Sequence, residues 1–129
     1  MTDAFDLGST YLAIGDDGVA TPIEITPAFW VELTSGQRRL PGRWLMGAGP
    51  ARESPPNWDL HPEGECLIVL LSGSIDVIQE TDGGDRTVEL RQPGDSCFTP
   101  RGVWHRQIVH APSERVFLVA GSSTQMRPA

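Results

Sequence analysis

Two short stretches of the sequence carry side chains that could bind a metal ion. The first contains Asp59, His61 and Glu65, and the second ends in His105. Asp59 and His61 are two residues apart, so on an extended chain they point to the same face, and Glu65, four residues further on, would share it. The apolar run at 67–71 that follows has the length of a buried strand. Since charged groups leading into a buried strand are costly unless they are paired or bind a cation, the spacing indicates a metal site.

Two histidines and one carboxylate with open positions opposite them are typical of non-haem iron sites that activate oxygen. We therefore predict that His61, Glu65 and His105 bind a divalent cation (Fe, Mn, Ni or Zn), with Asp59 as a fourth ligand or as an acceptor that orients a histidine ring. The carboxylates favour Mn²⁺ or Fe²⁺, whereas Cys66 in place of Glu65 would favour Zn²⁺. Because both imidazoles must be neutral to bind, we expect metal loss below about pH 6. A metal-free, vestigial site is the alternative.

The second stretch resembles the second motif of the cupin superfamily. That motif reads Gly, five residues, Pro, one residue, Gly, two residues, His, and Gly94, Pro100, Gly102 and His105 match it without a gap. The resemblance covers about 40–121.

The first stretch matches the first cupin motif only in part. That motif reads His-x-His, three or four residues, Glu, six residues, Gly. Asp59 stands at the first histidine, His61 at the second and Glu65 at the glutamate, but seven residues separate Glu65 from Gly73. Counting back from Gly73 places Cys66 in the glutamate position. Two alignments of this motif, one residue apart, therefore remain possible.

The resemblance implies an all-β fold, the double-stranded β-helix or jelly roll, here with a short N-terminal helix. It implies one domain over 1–129, with a barrel core at about 40–121 and an N-terminal extension at 1–39, and it implies a homodimer. The 14 glycines and 11 prolines independently favour short strands joined by turns. Without the resemblance, the strand pattern alone would fit an immunoglobulin-like sandwich equally well.

The order of polar and apolar residues predicts strands separated by turns and one short helix. Thr26 is the expected N-cap of a helix at 28–33 that ends by Gly36. The segment at 1–10 is expected to be loosely held and the tail at 121–129 to be flexible. The predicted strands are 11–14, at an edge of the sheet, 21–25, 43–48, 74–80, 87–91, 96–99, 106–110 and 115–120.

Charge and hydropathy exclude several classes of partner. The formal net charge of -7 leaves no basic stripe to bind nucleic acid or an anionic membrane. No apolar run approaches the roughly 20 residues that span a bilayer, and the N-terminus has no signal-peptide pattern. We therefore expect a soluble cytoplasmic protein in which Cys66 and Cys97 are thiols.

A small-molecule ligand is the expected partner. Trp58 and Phe98 lie next to the predicted ligands in the sequence and could wall a pocket for it. Arg43 could hold a substrate carboxylate, as could Arg101 or Arg106. Trp30 could contact the ligand too, although packing is the better interpretation of its role.

Three functions are compatible with these residues. The first is a metal-dependent enzyme, dioxygenase-like or isomerase-like, acting on a small oxygen-bearing molecule. The second is a non-catalytic ligand-binding or sensor protein, with or without metal, and the third is a structural or redox-buffering protein. The sequence assigns no catalytic residue, and Glu63 is the only spare carboxylate near the predicted ligands.

Overall fold

The computed structural model describes residues 3–129, and in this range it contains nine β-strands and one α-helix. The helix, α1, is Phe29–Thr34. The strands are β1 Thr10–Ile14, β2 Ala20–Glu24, β3 Trp44–Ala51, β4 Asn57–Leu60, β5 Cys66–Thr81, β6 Gly84–Leu90, β7 Ser96–Thr99, β8 His105–Ala120 and β9 Gln125–Pro128. This composition confirms the predicted all-β class with a short N-terminal helix.

Two strands of 16 residues each, β5 and β8, form the centre of the fold. They pair antiparallel, from Cys66 opposite Val119 to Gln79 opposite His105. β8 also pairs with β3 and β4, and β5 also pairs with β6 and β7. On the β8 side, neighbouring strands of the sheet follow the order β2-β1-β3-β8-β4-β9. The segments predicted as separate strands at 106–110 and 115–120 are thus one continuous strand.

β5 changes the face that it buries halfway along its length. Its first half buries even-numbered residues from Cys66 to Leu70, and its second half buries odd-numbered residues from Ile75 to Gln79. The register with β8 shifts between these halves, beside Gly73, whose φ is 96°. A glycine accepts this left-handed conformation without a steric penalty, so the strand can bend there and keep both halves packed on the core.

The short helix closes one side of the core. Phe29 and Leu33 are buried, and the Phe29 ring meets Tyr11 edge to face at 5.6 Å between centroids. The predicted helix is confirmed, but it starts one residue later and Thr26 is not its N-cap. Ala28 occupies that position and provides no side-chain cap. Aromatic packing therefore does more than local capping to fix this helix.

The pairing of the first and last strands differs from the sequence prediction, while residues 3–9 contain no strand or helix and residues 1–2 of the segment predicted to be loosely held lie outside the described part. β1 pairs with β2 and β3, so it is not an edge strand. The tail predicted to be flexible contains β9, which pairs with β4 from Asn57 opposite Pro128 to Leu60 opposite Gln125. β9 has only four residues and no buried alternating face, so only its tertiary partner identifies it as a strand. In the described part of the chain, α1 is too short to cross a membrane, and no other helix offers a candidate span.

Candidate metal centre

The two imidazoles predicted as ligands meet inside the barrel. His61 follows β4, and His105 is the first residue of β8. The backbone of Asp59 pairs with that of His105, which draws the end of β4 against the start of β8. The ring centroids are 5.2 Å apart, and the residues are 6% and 2% exposed. Two turns far apart in the sequence therefore bring a pair of histidines together, as predicted.

Hydrogen bonds fix the tautomer of His61. The hydroxyl of Thr124 donates to the carbonyl of Gly121 at 2.6 Å, so its only hydrogen is used there. His61 Nδ1 lies 2.9 Å from the same hydroxyl oxygen and must donate to it. The second nitrogen, Nε2, therefore keeps its lone pair.

His105 reaches the same state through a backbone group. Its Nδ1 lies 3.3 Å from the carbonyl oxygen of Val103, which can only accept. Burial lowers the pKa of both imidazoles, that of His61 to about 3 with a further contribution from His105. Both rings are thus neutral near pH 7 and have Nε2 available as a ligand.

The third member of the cluster is Cys66. One ligand atom from each of His61, Cys66 and His105 lies within 4.8 Å of the other two. A point at most about 2.8 Å from all three atoms therefore exists, and a small inward movement gives the 2.0–2.3 Å bonds of zinc to nitrogen and sulfur. Burial raises the pKa of the Cys66 thiol. Without a cation the cysteine is a neutral thiol, so metal binding must displace its proton.

This placement corrects the expectation that Glu65 shares a face with Asp59 and His61. Glu65 is exposed, outside the cluster, and borders a shallow groove on the outer surface. The chain turns at 62–64, so the alternation does not continue from β4 into β5. Alternation restarts with Cys66 facing inward, which is the one-residue shift left open by the sequence motif.

Asp59 faces the same region without belonging to the three-residue cluster. Its Oδ1 accepts a hydrogen bond of 2.9 Å from Asn57 Nδ2. Burial raises its pKa to about 6, and the bond from Asn57 offsets part of that effect. Near neutral pH the carboxyl is therefore close to the point at which it exchanges its proton.

The cluster lies in a cavity of about 410 Å³. This volume is in the range of small-molecule sites in proteins. Beyond the histidines, the walls include Tyr11, Trp30, Gln107, Arg115, Phe117, Thr124 and Met126. Only Trp30 among these was named from the sequence, because the others are spread over β1, β8 and 124–126 and form no motif.

The residues predicted to bind substrate lie outside this cavity. Phe98 is 57% exposed, because the inward positions of β7 are Cys97 and Thr99. Arg43 makes an exposed ion pair of 3.2 Å with Asp16.

Trp58 also does not line the cavity, and its ring instead contacts arginines. The guanidinium carbons of Arg106 and Arg127 lie 5.8 and 5.2 Å from its ring centroid. Arg127 also lies 4.5 Å from the ring centroid of Trp104. Proximity in sequence to a ligand therefore did not predict which face these rings occupy.

Comparisons with known proteins bear on the fold. No family model matches the chain, and no curated protein matches it. Solved structures do: a cupin-2 domain protein of Shewanella frigidimarina NCIMB 400 has a TM-score of 0.50 and 11% identity over 71% of this chain and 76% of that one. An oxalate oxidase has a TM-score of 0.54 and 16% identity over 64% of this chain and 45% of its own.

The hydroquinone 1,2-dioxygenase of Sphingomonas sp. TTNP3 gives a TM-score of 0.51 and 14% identity over 67% of this chain and 61% of that one. The chain thus spans less than two thirds of each of the two enzymes. Identities this low establish architecture and not activity. The strand order and these likenesses together show that the chain has the cupin fold, the all-β jelly roll.

Proposed function

We propose that the protein is a metal-dependent enzyme that acts on a small oxygen-bearing organic molecule, with the metal held by His61, Cys66 and His105. The observation that carries the proposal is the set of two neutral imidazoles and one thiol whose ligand atoms lie within 4.8 Å of one another at the cavity. Solved structures of the same fold include an oxalate oxidase and a hydroquinone dioxygenase, which supports an enzymatic role.

The donor set favours a softer cation than the sequence suggested. Two nitrogens and a sulfur suit Zn²⁺, and three protein ligands with an open position are typical of catalytic zinc sites. A cation bound there would polarise a substrate oxygen as a Lewis acid. With Cys66 instead of Glu65 as the third ligand, the site lacks the carboxylate of the predicted iron-type triad.

Residues of the chain supply the remaining functions of the proposed site. Thr124 holds the His61 ring through Nδ1, and the Val103 carbonyl holds His105 in the same way. Asp59 is the carboxyl group placed to take or give a proton at its Oδ2 atom, since Oδ1 is held by Asn57. The rings of Tyr11, Trp30 and Phe117 give this end of the cavity an apolar wall.

Two neighbouring substitutions test the proposed ligand set. Metal content is measured after purification without added metal, and zinc affinity is measured by competition with a chromophoric chelator. We expect Cys66→Ser to lower zinc affinity at least about 10-fold, because it removes a thiolate ligand. Glu65→Gln is the matched control and should retain wild-type affinity. A loss of zinc in the Glu65 variant, or equal affinity in both variants, would refute the assignment.

Turnover distinguishes an enzyme from the second candidate, a ligand-binding protein. Substrate loss and oxygen uptake are followed for keto acids and catechols with the zinc-, iron- and manganese-loaded protein. Ligand-induced stabilisation without turnover under every metal would favour the binding role. The predicted single domain, homodimer and cytoplasmic location stay predictions.

A further inference from the structure

Arg115 is a half-buried cation on the cavity wall without a carboxylate partner among residues 3–129. Its neighbour Glu114 is exposed, and Asp59 on the same cavity lies beyond ion-pair distance. Burial lowers the pKa of the guanidinium, and the nearby groups of Tyr11, Glu114 and Cys66 offset that effect only in part. Four of the other nine arginines form ion pairs: Arg38 with Glu32, Arg43 with Asp16, Arg91 with Asp76 and Arg127 with Glu80.

Neutral acceptors hold the Arg115 side chain in one orientation. Its Nε donates to Gln107 Oε1 at 2.7 Å, and its Nη1 donates to the carbonyl oxygens of Gly49 at 3.1 Å and Pro50 at 3.3 Å. Nη2 makes no hydrogen bond within the described chain, so its two N–H groups stay available. A positioned guanidinium with one free nitrogen at a cavity is suited to donate hydrogen bonds to an anionic oxygen.

The side chains around Arg115 indicate what kind of molecule could carry that anionic group. The rings of Tyr11 and Phe117 are 5.2 Å apart, and those of Trp30 and Phe117 are 5.8 Å apart, and all three line the same cavity. Apolar rings next to a guanidinium favour a molecule with a flat apolar body beside its charged group.

A strand connects this anion-binding region to the proposed metal site. His105 and Gln107 both line the cavity and are two residues apart on β8, which places them about 7 Å apart along an extended chain. Gln107 in turn holds Arg115. One molecule of modest size can therefore contact Arg115 and extend towards the histidines.

We propose that the cavity binds a small aromatic carboxylic acid, with its carboxylate on Arg115 Nη2, its ring against Trp30 and Phe117, and its far end towards His61 and His105. The orientation of the far end rests on the proposed function. The anion subsite does not, because the hydrogen bonds that hold Arg115 go to Gln107, Gly49 and Pro50 and not to a proposed metal ligand. No bond of the acid is broken or made in this step, which is binding alone.

Benzoate and its neutral isostere benzamide are the probes, titrated by NMR into metal-free protein from which the chelator has been removed. We expect benzoate to bind at least about 10-fold more tightly than benzamide, because the amide keeps one acceptor oxygen for Arg115 but lacks the negative charge and the second acceptor of the carboxylate. Arg115→Met keeps the aliphatic stem and should abolish this preference. Arg43→Met, which removes an exposed arginine outside the cavity, should preserve it.

Equal binding of the two probes, no binding of benzoate, or a preference that survives in Arg115→Met would overturn the proposal. If Arg115→Met does not fold, the wild-type guanidinium signals in ¹⁵N-arginine-labelled protein provide the test. Benzoate and not benzamide should shift the Arg115 Nη signals, and an unchanged signal overturns the proposal. Zinc takes no part in this titration, so failure of the metal site and failure of the anion subsite are distinguishable.

Discussion

Replacing Gly47 by alanine should disturb the aromatic wall of the cavity through a single added carbon. Gly47 lies in β3 beneath the rings of Tyr11 and Phe117, which meet edge to face at 5.2 Å between centroids. A Cβ at this position would lie 2.6 Å from Phe117 Cζ and 2.6 Å from Tyr11 Cδ1. Since non-bonded carbons prefer about 3.5–4.0 Å, both rings must move by roughly 1 Å.

The size of the expected stability loss follows from how tightly those two rings are packed. Tyr11 is 7% exposed and packs on Phe29 and Trp30 as well as Phe117. Overpacking of a core costs about 1–3 kcal/mol. Alanine also restricts the unfolded chain, which offsets about 0.4–1 kcal/mol of that cost. We therefore expect Gly47→Ala to lower the free energy of unfolding by about 1–2 kcal/mol.

Gly49→Ala is the matched control, because it makes the same chemical change two residues along the same strand. A Cβ at Gly49 would have no heavy atom within 4 Å, so only the unfolded-chain effect remains. This variant should be as stable as wild type or more stable by up to about 1 kcal/mol. Urea unfolding followed by tryptophan fluorescence measures both. Equal stability of the two variants would refute the packing argument, and Phe117→Leu, which shortens the ring side chain, should relieve part of the Gly47→Ala penalty.

Three further changes test other parts of the structure. The Asp59 pKa is raised to about 6 from about 3.9 in an unfolded chain, so ionisation of this carboxyl lowers the stability of the fold as pH rises through 4–6. Asp59→Asn should therefore stabilise the metal-free protein in urea unfolding by up to about 3 kcal/mol at pH 8 and by little at pH 4. A stability difference that does not change with pH would contradict this. Thr124→Val should weaken zinc binding about 10-fold in chelator competition while leaving the circular dichroism spectrum unchanged, because His61 Nδ1 loses its acceptor. Gly73→Ala should destabilise the protein by more than about 2 kcal/mol in thermal unfolding, since its φ of 96° disfavours alanine and the Cβ would lie 2.1 Å from Ser113 Oγ; near-wild-type stability would show that β5 can straighten.

Local patterns in the sequence were sufficient for the all-β class, whereas the resemblance to the two cupin motifs implied the jelly roll and the meeting of His61 with His105. The spacing from Gly94 to His105 predicted a turn that leads an imidazole into a strand, and Gly94 and Gly102 do have positive φ angles of 92° and 72°. The short strand predicted at 96–99 is β7 at its observed bounds, Ser96–Thr99. These features depend on neighbouring residues alone, so they can be read without a tertiary structure.

The path of the chain decided that Cys66, and not Glu65, faces the two histidines. Alternation predicts a face only while the chain stays extended, and the turn at 62–64 interrupts it between His61 and β5. The same limit applies to Phe98, which adjoins an inward residue and so faces out. A difference of one residue moves a side chain to the other face of the sheet.

The sequence by itself determined an all-β chain in which His61 and His105 are the candidate imidazole ligands. Only the tertiary structure showed that Thr124 orients His61 and that Arg115 and Tyr11 share their cavity. Tyr11 in β1 and His61 after β4 lie far along the chain from Arg115 in β8 and from Thr124. Their proximity results from long-range strand pairing, and such pairing depends on packing between distant segments and leaves no periodic pattern around the residues that it brings together.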